Sequence, residues 1–352
     1  MALTFATLDD FFAHGYDTVI DVRSPSEFAE DHVPGAISLP VLDDEERARV
    51  GTIYKQQSPF LARKLGAALV FRNAAGHLER SLSHHEGGWR PLVYCWRGGQ
   101  RSGSFAWMLK EIGWRSETVQ GGYRSYRRLV NAYLYEDPLP HRFVLIDGNT
   151  GTAKTDLLQV LKRRGWQVLD LEGAANHRGS LLGGMGDQPS QKGFETVLAG
   201  ALTGMDPGRV VLVEAESSKI GERIVPPTVW ERMKHAPRIG IEAPMAARVG
   251  YLLEAYDDVL SDGARLEQLL WHLRAVRGHE VVDGWLGHIA SGDKAALTQA
   301  LMAQHYDPAY AKARRAIGGD PVALVQARAL TAEGIEAVAS DVEAALERMA
   351  GG

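Results

Sequence analysis

The sequence predicts an α/β protein with two parallel-sheet domains followed by a helical C-terminal region. Apolar runs typical of buried strands lie at 18–22, 91–95 and 117–120, and a helical pattern lies at 103–113 between two of them. Strands that alternate with helices favour a parallel sheet. A new strand–loop–helix pattern begins at 142 and indicates a second domain of the same class.

The second half of the chain extends this pattern and then changes. Further strand candidates are 166–173, 209–217 and 237–244. From about 260 onward the strand pattern ends, and apolar residues recur at helical spacing within 264–276 and 335–349. We therefore expect the last part of the chain to be helical.

These patterns divide the chain into three predicted regions. Residues 1–135 form the first α/β domain, with a helical insertion at about 42–88, and a proline-containing linker at 135–142 follows it. Residues 136–260 form the second α/β domain, and residues 261–352 form the helical region. In parallel sheets the functional loops follow the carboxyl ends of the strands, so those loops are the first candidates for a site.

The composition is typical of a globular protein in a reducing compartment. The chain has 352 residues, 45% of them hydrophobic, and a single cysteine, so no internal disulfide can form. No apolar run approaches the roughly 18 residues of a membrane span. The first Lys or Arg is Arg23, so the N-terminus lacks the basic segment of a secretory signal. We expect a cytoplasmic protein with no membrane segment.

The net charge of −5 gives no overall electrostatic case for nucleic-acid binding, so any such contact must use a local patch. The best candidate is 123–135, where tyrosines and arginines could stack on bases. A solvated helix face is the alternative explanation of such a patch. The predicted RNA contacts are Tyr123, Arg124, Arg127 and Arg128.

A glycine-containing loop, CWRGGQRS, surrounds the single cysteine and follows the predicted strand at 91–95. A thiolate is stabilised at a helix N-terminus and beside cations, and this loop offers both. Its two glycines let several backbone amides converge on one anionic group. The sequence therefore predicts Cys95 as a nucleophile in a cradle for a thiolate, a persulfide or an oxyanion. The cradle residues are Arg97, Gly98, Gly99, Gln100, Arg101 and Ser102.

This region resembles the rhodanese family in three motifs: DVRSPSEFAEDHVPGAISLP at 21–40, the cysteine loop, and VQGGYRSY at 119–126. The resemblance covers about residues 5–130 and implies a rhodanese-like domain whose Cys95 carries sulfane sulfur or another chalcogen. It also implies that Asp21 and Arg23 support the loop rather than act in catalysis.

A second glycine-containing loop, GNTGTAKT at 148–155, has the spacing and the flanking strand and helix of a phosphate-binding P-loop. Lys154 would neutralise phosphate charge, and the Thr155 hydroxyl is a candidate Mg²⁺ ligand. Ala153 replaces the second glycine of the motif, which hints that phosphates sit differently from those of a nucleoside triphosphate. The predicted phosphate-binding residues are Gly148, Asn149, Thr150, Gly151, Thr152, Ala153, Lys154 and Thr155.

Polar residues near the ends of other predicted strands are candidate substrate ligands. Two glutamates end a strand similar to the metal-binding strand of P-loop proteins, and a glycine-rich segment at 170–184 suits an anionic ligand. One arginine lies where a P-loop kinase-like domain could place a phosphate-facing group. These candidates are Glu214, Glu216, Glu172, His177, Arg178, Ser180 and Arg248.

The cysteine loop, the P-loop and the motif EGAANHRGS, in this order, resemble the tRNA 2-selenouridine synthase family over nearly the whole chain. The resemblance implies conversion of a wobble 2-thiouridine in tRNA to 2-selenouridine with selenophosphate, through S-geranylation by geranyl diphosphate. It implies Cys95 as the chalcogen nucleophile and the P-loop as the holder of diphosphate or selenophosphate. It implies no tightly bound cofactor, and no protein partner beyond a selenophosphate supplier.

Two other functions remain open at this point. One is a rhodanese-type sulfurtransferase, or a phosphatase with the Cys-x5-Arg spacing, fused to a P-loop NTPase; Tyr94 stands where such phosphatases usually have a histidine. The other is a signalling module without catalysis, against which the intact Cys95 and its arginines argue.

Overall fold

The computed structural model describes residues 2–179, 183–184, 186–317 and 320–351, without the side chains of 313–317 and 350–351.

The first part of the chain alternates short strands with helices. The strands are β1 (Ala2–Leu3), β2 (Thr18–Asp21), β3 (Ile37–Ser38), β4 (Pro91–Tyr94) and β5 (Glu117–Val119). The helices are α1 (Leu8–Phe12), α2 (Pro25–Glu30), α3 (Asp44–Gln56), α4 (Pro59–His77), α5 (Gln100–Ile112) and α6 (Tyr123–Asn131), with π-helical turns at Leu78–Leu82 and Ala132–Glu136. The three strands and the helix predicted in this part are confirmed.

The second part begins with strands and becomes mainly helical. The strands are β6 (Arg142–Gly148), β7 (Gln167–Leu169), β8 (Val210–Glu214), β9 (Lys219–Ile220), β10 (Arg223–Ile224), β11 (Arg238–Glu242) and β12 (Ala323–Gln326). The helices up to residue 260 are α7 (Lys154–Arg163), α8 (Leu171–Ala175), α9 (Gln191–Thr203), α10 (Pro227–Lys234), α11 (Met245–Ala255) and α12 (Asp257–Leu260). The later helices are α13 (Gly263–Trp271), α14 (Arg274–Arg277), α15 (His279–Ser291), α16 (Lys294–Leu301), α17 (Asp307–Ile317) and α18 (Ala332–Gly351), with a π-helical turn at Met302–Tyr306.

The chain divides into two compact units. Unit 1 comprises Met1–Pro138 and Pro189–Gly204, and unit 2 comprises Leu139–Gln188 and Met205–Gly352. Each unit has its own five-stranded parallel sheet, which confirms the predicted fold class.

The sheet of unit 1 has the strand order β1-β5-β4-β2-β3. Its central strand β4 is fully buried, as expected for a parallel strand covered on both faces. Val93 of β4 lies beside Ile20 of β2 and Thr118 of β5. Because parallel strands end at one edge of a sheet, this register brings the chain after β2, β4 and β5 together.

The insertion expected at about 42–88 contains the helices α3 and α4. Helix α4 begins at Ser58, whose hydroxyl accepts the backbone N–H of Phe60 at 3.2 Å, and Pro59 occupies the first helical position. One face of α4, including Leu69 and Val70, packs in the hydrophobic core of unit 1. The insertion is therefore part of that core.

Helix α9 belongs to unit 1, although the sequence placed it in the region 136–260. Its side chain Glu195 forms an ion pair with Arg127 of α6, and Tyr126 donates a hydrogen bond to Thr196 at 3.4 Å. Its apolar residue Phe194 is fully buried. These contacts are long-range, so the order of strands and helices along the sequence gave no sign of them.

The sheet of unit 2 has the strand order β12-β11-β6-β8-β7. Strand β12 corrects the prediction of a wholly helical region after 260, because it extends the sheet beside β11, with Val325 paired with Ile241. In β12 only Val325 is buried, and the other three residues are exposed or half-buried, as suits an edge strand. A four-residue strand of this kind resembles a loop when judged by its sequence alone.

Helix α18 completes the core of unit 2. Six of its residues lie in the same hydrophobic cluster as the P-loop helix and the central strands: Ile335, Val338, Ala339, Val342, Ala345 and Leu346. Arg164 at the end of α7 also pairs with Glu336 and Glu343 of α18. The end of the chain is thus built into the P-loop unit.

Shortening one side chain of α18 tests this packing. Leu346→Ala removes a buried side chain and should lower the free energy of unfolding by about 2–5 kcal/mol. The control Glu347→Ala, on the exposed face of the same helix, should change it by less than about 0.5 kcal/mol. Urea denaturation followed by circular dichroism measures both, and equal effects would contradict the packing of α18.

Candidate functional site

The cysteine loop lies between β4 and α5 and is shaped by close backbone contacts. Gly98 has φ +64° and lies so near residues 119–122 that any side chain would collide with them. Gly122 has φ +58°, and a side chain there would collide with the carbonyl oxygen of Cys95. The N–H of Tyr123 donates to that same carbonyl at 2.8 Å. The glycines predicted to let the loop curl thus bring it against the chain after β5.

The sulfur of Cys95 is buried and hydrogen-bonded. The Ser102 hydroxyl donates to it at 3.2 Å. Burial alone raises the pKa of the thiol, but the Ser102 hydroxyl, the positive charge of Arg101 and the backbone amides of Ser102 and Gly99 outweigh burial, so the pKa of Cys95 is lowered. This environment favours a thiolate, as the loop sequence predicts.

The two arginines of the loop have different surroundings. Arg101 is mostly buried and donates to Glu27 at 3.2 Å, a carboxylate that also pairs with Arg47. Arg97 is exposed and has no side-chain partner in the part of the chain that the structure describes. Gln100 in the same loop is also exposed. Arg101 therefore acts on the thiol by its charge, whereas Arg97 is available to an incoming anion.

A buried ion pair lies behind the loop. Arg23 and Asp21 are fully buried, and their side chains meet at 2.6 Å. Arg23 also donates to the carbonyl of Asp31 at 2.6 Å and lies 3.9 Å from the ring centre of Tyr123. The guanidinium thus joins the end of β2 to the segment that holds the cysteine loop.

The predicted RNA patch is only partly exposed. Tyr123 is 2% exposed and its hydroxyl donates to Asp31, and Arg127 is paired with Glu195. The prediction that these two side chains contact RNA at the surface is therefore wrong. The amphipathic helix α6 turns both residues towards the core. Arg124 and Arg128 are exposed and remain candidates.

The P-loop of unit 2 runs from the end of β6 to the start of α7. Ala153 adopts φ +56°, a left-handed conformation that glycine accepts more readily, so the loop keeps the motif's backbone shape at this position. The Thr152 hydroxyl donates to the carbonyl of Asn149 at 2.9 Å. Lys154 donates to the carbonyl of Gly148 at 3.0 Å, across the mouth of the loop.

Three of the predicted carboxyl groups cluster beside Lys154. A side chain at Gly179 would collide with both Glu172 and Glu216, so these two carboxylates converge on that glycine. Burial and the charge of Glu172 hold the pKa of Glu214 well above its usual range. Both carboxyl oxygens of Glu214 are buried without a hydrogen-bond partner among the described residues.

The other two carboxyl groups also hold their protons more tightly than usual. Burial raises the pKa of Glu216 to about 7, although the nearby Lys154 opposes this. Burial likewise raises the pKa of Glu172, against the effects of Lys154 and the Thr155 hydroxyl. Burial thus favours the protonated form of all three carboxyl groups.

The candidate Mg²⁺ ligand Thr155 donates to Glu172 at 3.0 Å. Among the residues that the structure describes, no group of three or more His, Cys, Asp or Glu side chains is arranged to hold a metal ion. Magnesium at P-loop sites uses one or two protein oxygens together with phosphate oxygens of the ligand. The adjacent oxygens of Thr155 and Glu172 fit that arrangement.

The segment after β7 is partly described. The His177 ring accepts the backbone N–H of Gly179 at 3.1 Å, and burial lowers the pKa of His177. Arg178 pairs with Asp258 at 3.2 Å and lies 4.7 Å from the ring centre of Tyr256. Ser180 lies outside the described residues.

Arg248 was predicted to face a phosphate, but the structure commits its guanidinium to other partners. It is 5% exposed, donates to the carbonyl of Thr150 in the P-loop at 2.7 Å, and pairs with Asp307 at 2.6 Å. These two partners occupy the guanidinium, so it is not directed at a ligand. Asp307 and the neighbouring Tyr310 were missed from the sequence because they lie about 155 residues after the P-loop and belong to no local motif.

No helix in the described part of the chain is both long and apolar enough to span a membrane.

A thiol loop on one parallel sheet and a P-loop with buried carboxyl groups on another define a two-domain protein of the rhodanese and P-loop class. A family model described as "Rhodanese-like domain" matches residues 5–129, and one described as "tRNA 2-selenouridine synthase AAA domain" matches residues 141–269. The chain belongs to the tRNA 2-selenouridine synthase family.

Proteins that align with most of this chain support the family assignment. A tRNA 2-selenouridine synthase of Hahella chejuensis is 32% identical, with 83% of this chain and 84% of that protein covered. Proteins of the same name from Nitrosomonas europaea and Bdellovibrio bacteriovorus are each 37% identical, with 68% and 71% of this chain covered. The match spans 63% of the Nitrosomonas protein, less than two thirds of its length, and 67% of the Bdellovibrio protein.

Removing the hydroxyl beside the sulfur tests the thiolate environment. Ser102→Ala should raise the pKa of Cys95, because the thiolate loses a hydrogen-bond donor. The control Ser104→Ala removes a hydroxyl from the same helix that does not donate to the sulfur, so it should leave the pKa of Cys95 unchanged. Since Cys95 is the only cysteine, absorbance of the thiolate at about 240 nm reports its titration directly. Equal titration curves for the two variants would contradict this role of Ser102.

The carboxyl cluster should make stability depend on pH. Glu216 has a pKa of about 7 in the folded protein against 4.5 when unperturbed, so the folded state binds more protons between these values and loses stability as pH rises through them. Glu216→Gln should reduce this slope by up to about 1.4 kcal/mol per pH unit. Urea denaturation from pH 4.5 to 7.5 measures it, and an unchanged slope would show that Glu216 is ionised throughout.

Proposed function

We propose that this protein converts a wobble 2-thiouridine of tRNA into 2-selenouridine in two steps, each served by one unit. In the first step geranyl diphosphate alkylates the sulfur, and in the second step selenium from selenophosphate replaces it. The observation that carries the proposal is the presence, in one chain of this family, of an activated thiol loop and a phosphate-binding loop with a buried acidic cluster.

The first step suits the P-loop of unit 2. Backbone amides of the loop and Lys154 would hold the diphosphate, which is the leaving group, and stabilise the charge that it gains as it departs. Mg²⁺, held by Thr155 and Glu172 together with phosphate oxygens, would neutralise further charge there. The altered position Ala153 and the glutamates at the end of β8 are consistent with a diphosphate ligand and do not require ATP hydrolysis.

Alkylation prepares the second step. A thiocarbonyl sulfur is a poor leaving group, whereas the alkylated sulfur departs as a thiol when a selenium nucleophile attacks C2 of the base. Cys95 would act in this step as the nucleophile that carries or assists the chalcogen. The lowered pKa of its thiol and the exposed Arg97 suit the capture of an anionic selenium donor.

The RNA would be recognised chiefly through its backbone. The chain has a net charge of −5, so binding must rely on local cations such as Arg124 and Arg128, both exposed on α6. Such an enzyme would act where tRNA and reduced thiols occur together, which is the cytoplasm.

Complementation of cells that lack this gene tests the proposal. The wild-type gene should restore 2-selenouridine when selenium is supplied. Cys95→Ala should lose the selenium nucleoside and keep the geranylated one, whereas Lys154→Ala should lose both, because phosphate binding precedes both products. Mass spectrometry of tRNA nucleosides measures all three.

Two results would contradict the proposal. If the wild type leaves 2-thiouridine unchanged, the reaction itself is wrong. If Cys95→Ala makes 2-selenouridine at the wild-type level, the thiol has no role in the selenium step. Ser104→Ala, next to the loop on α5, is a suitable control for folding and expression.

A further inference from the structure

Helix α17 is attached directly to the P-loop. Arg248 binds the carbonyl of Thr150 with two nitrogens, at 2.9 and 2.7 Å, and binds Asp307 at the start of α17 with two more contacts, at 3.0 and 2.6 Å. A paired arginine of this geometry fixes both position and orientation. The first turn of α17 is therefore held in place against the P-loop.

Tyr310 lies one turn along the same face of α17. The centre of its ring is 5.4 Å from the ammonium of Lys154, within the range of a cation–π contact. Its side chain is half-buried, and burial is the main cause of the raised pKa of its hydroxyl, to which the nearby carboxylates of Glu216 and Glu172 add. An aromatic face thus lies beside the group that binds the phosphate.

Phosphate binding alone does not explain an aromatic ring in this place. The face of a ring carries negative charge and attracts cations, so it offers nothing to a phosphate oxygen. The neighbouring carboxyl groups have the same preference. The ring already lies beside the Lys154 ammonium, and such a face also suits a ligand group next to the diphosphate that develops positive charge.

Apolar and aromatic groups continue along this side of the loop. Leu252 of α11 packs so closely on Gly151 that a side chain there would meet it at 2.9 Å. Tyr251 donates to Asp156 in the first turn of α7 at 2.9 Å, so its ring also lies beside the P-loop helix. The surroundings of the P-loop on this side are therefore partly apolar.

We propose that the ring of Tyr310 faces the allylic carbon of geranyl diphosphate and stabilises the positive charge that develops there during transfer. This inference rests on the geranyl transfer proposed above. The C1–O bond breaks, and its electron pair leaves with the diphosphate. The thiocarbonyl sulfur forms the new C1–S bond, and the base loses its N3 proton to solvent. The products are the S-geranyl nucleoside, diphosphate and a proton.

Two substitutions separate the ring from the hydroxyl and from simple volume. Tyr310→Phe keeps the aromatic face, whereas Tyr310→Leu keeps an apolar side chain without it. The full-length protein is assayed with tRNA containing 2-thiouridine, geranyl diphosphate and Mg²⁺. We expect Tyr310→Leu to lower kcat for geranyl transfer at least about tenfold with little change in KM, and Tyr310→Phe to stay within about threefold of the wild type.

A second assay supplies tRNA that is already geranylated, together with selenophosphate. No allylic cation forms in this step, so Tyr310→Leu should convert this RNA at the wild-type rate, which also shows that the variant is folded. If Tyr310→Leu transfers geranyl as fast as Tyr310→Phe, or if only its KM changes, the inference is wrong while the proposed function stands. If the wild type itself makes no geranylated nucleoside, the geranyl step of the proposed function is wrong and this inference falls with it.

Discussion

Arg23 in unit 1 and Arg248 in unit 2 are buried, and each binds a carboxylate and a backbone carbonyl beside a functional loop. A buried guanidinium is costly unless its charge is paired, so its carboxylate partner is held in a fixed position. Arg23 positions the segment against which the cysteine loop packs, and Arg248 positions the P-loop and helix α17. The geometry of both candidate sites depends on these two ion pairs.

The two sites shift their ionisable groups in opposite directions. In unit 1 hydrogen bonds and Arg101 outweigh burial, so the Cys95 thiol gives up its proton more readily. In unit 2 burial and mutual repulsion dominate, so Glu214 and Glu216 keep their protons longer. The first environment favours a nucleophile, and the second makes an acidic cluster whose ionisation a nearby cation would favour.

The C-terminal region contributes to both the core and the candidate site of unit 2. Strand β12 and helix α18 complete the sheet and core of unit 2. Helix α17 carries Asp307, which pairs with Arg248, and Tyr310, which lies beside Lys154. In unit 1, helix α9 is contributed from a distant part of the sequence, after the first four elements of unit 2, β6, α7, β7 and α8. Both arrangements place functional or core residues far from the motifs they serve.

The sequence by itself determined the class of fold, the central strands, the two loops and the family resemblance, because these depend on short-range spacing. Apolar runs, glycine positions and the separate motifs around Cys95, Lys154 and Glu172 can each be recognised within a few residues. Which polar side chains face a ligand was decided only by tertiary structure. Tyr123 and Arg127 turn inward and Arg248 pairs with Asp307, because their partners lie 59 to 92 residues away in the sequence. Such partners leave no local pattern, so only the tertiary structure placed Tyr310 beside Lys154.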